Sequence, residues 1–159
     1  MKKYVSLICL ALCIVLLAGC AGTTAMPGQV KWEMSAEEVK STVGADKLQE
    51  STTGGILNQM LTKDYVDLYG DRTVSLAYVF NKEDKLSSIT VQIFTNDGET
   101  IEDAMKNVRT VMEGAYGAGD GEGSAVHWHT KDAAIGMQSV EGATSFFVVV
   151  YQPISAHSH

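Results

Sequence analysis

Cysteine is almost missing from this chain. Its three cysteines, Cys9, Cys13 and Cys20, all fall in the first twenty residues. No disulfide can therefore form within the chain beyond residue 20, and a packed core has to hold any fold there. Proline is as scarce: Pro27 and Pro153 are the two in the chain, and both read as punctuation at the ends of elements. Past the N-terminal segment no run approaches ~20 continuous apolar residues, so no second helical span is expected. Basic residues are outnumbered, with 12 Lys and Arg against 19 Asp and Glu and a net charge of −7. No basic stripe is present to grip phosphates, and nucleic acid is not expected as a partner. Peripheral adhesion to anionic lipid is disfavoured for the same reason. The acidity reads as a solubility feature rather than as a partner signal.

The signatures of several enzyme classes are lacking as well. Serines are plentiful, but no Gly-x-Ser-x-Gly elbow holds one as a nucleophile. Gly117-Ala118-Gly119-Asp120-Gly121 is glycine-rich, yet it lacks the lysine and the strand-loop-helix setting of a phosphate loop, and its acid would repel phosphate. Asp120-Gly121-Glu122 sits in no complete calcium-binding loop. Asp97, Glu99, Asp103, Asp120 and Glu122 read as solvated loop and cap carboxylates. The chain is expected to be no enzyme and to need no cofactor.

What the sequence does have begins at its N-terminus. Lys2 and Lys3 precede a stretch, residues 4–18, that is apolar apart from Ser6. This suits a signal-peptide core and is short for a spanning helix. It closes on Leu17-Ala18-Gly19-Cys20, which resembles the lipobox of bacterial lipoproteins. The resemblance implies cleavage before Cys20, removal of residues 1–19 and acylation of the Cys20 thiol. The domain is then held by its lipid on a bacterial membrane, facing the periplasm or the cell exterior. Acyl chains anchor stably because each buried methylene contributes about 0.8 kcal/mol. Losing Lys2 and Lys3 leaves 10 basic residues against the 19 acidic, about −9. Residues 20–28, small and without periodicity, read as a flexible tether that holds the domain off the bilayer.

Residues 29–153 read as a single α+β domain. Ser35 with Glu38 makes a capping box for a first helix, Met34 and Val39 sit as a hydrophobic staple, and Gly44 stops the helix. Trp32 is expected beneath it. Residues 45–60 read as loop. Period-two alternation predicts strands over 61–69, 72–81 and 86–95. In the second of these Val74, Leu76, Tyr78 and Phe80 oppose Ser75, Ala77 and Val79; in the third Ile89, Val91 and Ile93 oppose Ser88, Thr90 and Gln92. Thr100 caps a second helix, with Ile101, Met105, Val108 and Met112 at helical spacing. Residues 117–124 read as a flexible linker. Strands are predicted over 125–130, 133–140 and 144–152, the last apolar on both faces and therefore central and buried. Residues 154–159 read as a disordered polar tail. The order α-βββ-α-βββ suggests two halves, each a helix laid on an antiparallel meander, sharing a core.

Trp32-Glu33-Met34-Ser35-Ala36-Glu37-Glu38-Val39, the Gly44 stop, and Tyr78-Val79-Phe80 leading through Asp84-Lys85-Leu86 resemble small bacterial lipoproteins of the SmpA/OmlA (BamE-like) group. The doubled helix-and-meander order is similar to that of β-lactamase-inhibitor-protein-like domains. Glu33 stands where the group usually has glycine, and the hairpin lacks the usual glycine before Lys85. The resemblance implies noncatalytic protein binding or scaffolding in the envelope.

Ser75, Ala77, Ser88, Thr90 and Gln92 are the expected partner-binding positions. They form a nearly uncharged strand face, and interface centres are depleted in charge. The second half of the chain or residues 45–60 would cover this face if it were core. The partner expected is an unidentified envelope protein. Two alternatives remain open: inhibition of a secreted enzyme, and metal binding through the pairs His127/His129 and His157/His159. Residues i and i+2 of a strand share a face, so His127 and His129 are candidate ligands of one ion. The plainer reading is two solvent-facing histidines flanking a buried Trp128, because no cysteinate or fixed carboxylate spacing completes a site.

Overall fold

Alternating apolar residues build one antiparallel sheet in the computed structural model, which describes residues 24–51, 54–61 and 68–154. The strands are β1 (Gln49–Glu50), β2 (Ile56–Leu61), β3 (Val74–Phe80), β4 (Leu86–Phe94), β5 (Ala125–His129), β6 (Ala133–Ser139) and β7 (Phe146–Pro153). They lie in the order β1-β2-β3-β4-β7-β6-β5, every neighbouring pair antiparallel. Helices α1 (Ala36–Val43) and α2 (Ile101–Tyr116) complete an α+β fold.

The expected order α-βββ-α-βββ is not matched exactly, because four strands, β1 to β4, follow the first helix. A strand begins earlier than expected, as Ile56–Leu61, mostly within the segment expected to be loop. Gly54 and Gly55 end the polar stretch before it, and Ser51 N–H donates to the Ile56 carbonyl at 2.9 Å to start the β1–β2 pairing. Residues 62–67 of the expected strand lie outside the described residues, and Leu68 and Tyr69 sit in a turn, both buried. β1 adds a further two-residue strand at the edge. The two meanders meet edge to edge, β4 against β7, in one sheet.

Both helices sit on the same side of the sheet. α1 begins as its sequence requires: Ser35 Oγ accepts from Glu38 N–H at 3.3 Å, and Glu38 Oε2 accepts from Ser35 N–H at 2.8 Å. Val39 is fully buried, and Met34, Ala36, Val43 and Trp32 pack against the same core. Thr100 caps α2 by accepting from Asp103 N–H at 3.1 Å. Ala104, Met105, Val108 and Met112 form its buried stripe. The core between the helices and the sheet holds Val74, Leu76, Tyr78, Ile89, Val91, Ile93, Phe147, Val149, Tyr151, Trp128 and Ile135. Tyr69, Tyr151 and Tyr116 link their hydroxyls there, at 2.9 and 3.4 Å. Burial pushes the Tyr151 hydroxyl well above the ordinary tyrosine range.

Two segments expected to be flexible are part of the fold. From Thr24 onward the expected tether is packed. Met26, Pro27 and Val30 are buried, and Tyr116 OH donates to the Ala25 carbonyl at 2.6 Å. Gly28, at φ 72°, lies so close beneath Tyr78 that a Cβ would come 2.5 Å from its hydroxyl. The expected linker at 117–124 runs along β5. Asp120 and His127 exchange backbone hydrogen bonds at 2.8 and 2.7 Å, and Arg109 donates to the carbonyls of Gly119 and Gly121 at 3.1 Å each. Trp128 Nε1 donates to the Gly117 carbonyl at 3.1 Å. A Cβ at Gly119 would sit 2.7 Å from Trp128 and from Val126, so glycine allows this close approach. The segment covers the outer edge of β5, which would otherwise offer unpaired backbone groups.

Candidate functional site

With both helices on one face of the sheet, the other face carries the candidate site. Strand register assembles it. Ser75 lies opposite Gln92, Ala77 opposite Thr90 and Val79 opposite Ser88, so the five positions expected from sequence form one patch on β3 and β4. All five are half-buried. The second half of the chain lies beside this patch and extends it: Thr90 pairs with Val150, Gln92 with Val148 and Phe94 with Phe146.

One row runs across six strands, through Asn58, Ala77, Thr90, Val150, Gly136 and His127. At about 4.8 Å per strand it is roughly 24 Å wide. Its middle is built of small or β-branched side chains, which keeps it shallow. Phe94 and Phe146 meet at one end of the patch with ring centroids 6.1 Å apart and planes tilted 53°. Among the described residues, the strand positions on this face include no Asp, Glu, Lys or Arg. Ser88 Oγ donates to the Tyr151 carbonyl at 3.2 Å, which leaves Thr90 and Gln92 as the patch's outward polar groups on β4.

Val148, Val150, Phe146, Phe94 and Gly136 were not legible as members of this surface. They meet the β3–β4 patch through the β4–β7 pairing, which joins segments more than fifty residues apart, and Gly136 follows as a hairpin neighbour of β7. The one available signal was that Phe146, Val148 and Val150 alternate with an equally apolar set, a pattern that fits an uncovered apolar face as well as a doubly buried strand. β7 is internal to the sheet, but Phe147, Val149 and Tyr151 are its buried set, while Phe146, Val148 and Val150 are only half-buried.

His127 and His129 are exposed on β5 and flank the buried Trp128. The His127 ring lies over Gly136, whose added Cβ would sit 3.4 Å from Nδ1. Among the described residues no three His, Cys, Asp or Glu side chains gather as a metal site. His157 and His159, like Cys20, lie outside the described residues. Nor is any helix among the described residues long and apolar enough to cross a membrane.

The carboxylates read as loop and cap residues divide by environment. Asp103 serves the α2 cap. Glu99 is mostly buried against Arg72, a structural role that the sequence did not reveal. Asp97, Asp120 and Glu122 are exposed.

Compared with protein-family models, curated proteins and solved structures, the chain has no significant match.

Proposed function

We propose that this chain is an extracytoplasmic bacterial lipoprotein, anchored through acyl groups on Cys20, and that it acts as a noncatalytic protein-binding module through the sheet face opposite its two described helices. One observation carries the binding reading. A face six strands wide, on a chain of net charge −7, carries no Asp, Glu, Lys or Arg at its described strand positions and sets Phe94, Phe146, Val148 and Val150 beside Ala77, Thr90 and Gly136. A sheet face meant only for water is polar along its alternating positions. Interface centres instead lack charge and hold aromatic and apolar groups.

The likeness to the SmpA/OmlA group gains support from backbone geometry. Glu33 and Asp84, the positions where that group usually has glycine, have φ of 69° and 56°, in the region that glycine suits best. The topology also reads as two helix-and-meander halves fused along β4 and β7, the first carrying the additional β1.

Thr90→Arg tests the binding reading. The position is half-buried at the middle of the face, where a long side chain can reach solvent. The variant and the parent protein are used as baits in detergent-solubilised envelope of the producing bacterium. The reading expects a partner retained in stoichiometric amount by the parent and lost by the variant, with equal melting temperatures. The same partner retained by a folded Thr90→Arg protein would remove this face from the account.

A further inference from the structure

We propose that the end of the domain formed by the β5–β6 turn rests directly on the lipid bilayer, with the strands standing away from it and the sheet face opposite the helices turned sideways along the membrane. The inference rests on the reading that Cys20 is acylated. Thr24 is fixed to that turn: its Oγ1 shares a hydrogen bond with Thr130 Oγ1 at 2.6 Å and also donates to Asp132 Oδ1. Its N–H reaches the same carboxylate at 3.4 Å. Buried Met26 and Pro27 and the Tyr116–Ala25 hydrogen bond hold the chain immediately after it. Four residue steps separate Thr24 from Cys20, which is at most about 14 Å. β4 alone, at nine residues, is about 30 Å long. The anchor therefore cannot reach past the near end of the sheet, and the far end cannot lie against the lipid while Thr24 keeps its partners.

Charge separates the same two ends. The near end comprises the β5–β6 turn at 130–132 and the β3–β4 hairpin at 81–85. These two turns balance Lys82, Lys85 and Lys131 against Glu83, Asp84 and Asp132, and the α1 entry, bonded to the hairpin through Met34 and Ala36, adds Lys31, Glu33, Glu37 and Glu38. Here also is Ile154, 43% exposed, whose N–H donates to the Asp132 carbonyl at 3.2 Å. The far end carries Asp71, Asp97, Glu99, Glu122 and Glu141 against Arg72, and the first turn of α2 adds Glu102 and Asp103. An anionic bilayer repels the far end more strongly than the near one. A partner of the sheet face then stands beside the domain on the same membrane.

The test uses the full chain, processed in cells and reconstituted in phosphatidylethanolamine/phosphatidylglycerol vesicles holding a headgroup-nitroxide lipid. Lys131→Cys and Glu141→Cys, both at exposed positions, carry a fluorophore at the near and far ends. Quenching at least twofold stronger at 131 than at 141 is expected. Lengthening the chain by about twenty Gly/Ser residues between Cys20 and Thr24 should remove most of the difference. Equal or reversed quenching in the unlengthened protein overturns the orientation, and a difference that survives lengthening overturns the short anchor as its cause. Mass spectrometry of the mature N-terminus separates the two readings: an unmodified Cys20 defeats the anchor and the orientation together, whereas acylated Cys20 with equal quenching defeats the orientation alone.

Discussion

Arg72 and Glu99 face each other in a two-pronged ion pair, Nη1 to Oε2 and Nη2 to Oε1, both at 2.5 Å. Arg72 is 4% exposed. Glu99 also accepts from Asn96 N–H and Asn107 Nδ2, each at 3.1 Å. The pair ties the approach to β3 to the entry of α2 and satisfies a guanidinium that would otherwise be buried alone.

The hydrogen bonds from Arg72 lower the Glu99 pKa to about 2. A folded-state value below the unfolded one gives stability that is present above about pH 4.5 and is lost as pH falls towards 2. The shift corresponds to roughly 3 kcal/mol. Urea denaturation between pH 6 and pH 2 should show this loss, and Glu99→Gln should flatten that part of the profile. A Glu99→Gln profile parallel to the parent's would show that other carboxylates govern acid unfolding.

Glu33 is exposed and held at φ 69°. Left-handed backbone costs a residue with a Cβ about 1–2 kcal/mol, partly offset by the greater unfolded-state freedom of glycine. Glu33→Gly should therefore raise stability by about 0.5–1 kcal/mol. Asp84→Gly should gain less, because aspartate tolerates this region and its carboxylate accepts from Ala36 N–H at 3.4 Å. Chemical denaturation of both variants checks the order, and a destabilised Glu33→Gly protein would contradict the strain.

Trp32 is half-buried and packs against the core beside α1, and its indole Nε1 is buried without a hydrogen-bond partner among the described residues. Trp32→Ala should cost about 3 kcal/mol, the lower end of the range for large aromatic deletions. Trp32→Phe should cost less than about 1 kcal/mol, since it also removes an unsatisfied donor. Equal losses in the two variants would mean that the N–H is bonded.

Much of this architecture is readable in local pattern. The α1 capping box, the Thr100 cap and the core faces of β3 and β4 follow from residue type and spacing, and each forms as expected. The break in alternation between Leu86 and Ile89 is a bulge opposite Val79 and Phe80. Glycine and polar content misled at two places. Residues 24–28 and 117–121 are ordered by distant partners, Tyr116, Asp132, Arg109 and Trp128, which composition does not disclose. The candidate patch is half visible for the same reason. Ser75, Ala77, Ser88, Thr90 and Gln92 are hairpin neighbours, whereas Val148 and Val150 join them by long-range pairing.

Cys20→Ser should release the protein from membranes or leave it unprocessed, as fractionation and mass spectrometry of the N-terminus would show. A Cys20→Ser protein that remains processed and needs detergent for extraction, like the parent, would contradict the lipid anchor.

The most direct test of the binding face is site-specific photo-crosslinking in living cells, with a benzophenone side chain at position 90 and, as control, at Lys106 on the exposed side of α2. The account predicts a discrete protein adduct from position 90 and none from 106. Adducts of the same protein from both positions, or from 106 alone, would contradict it.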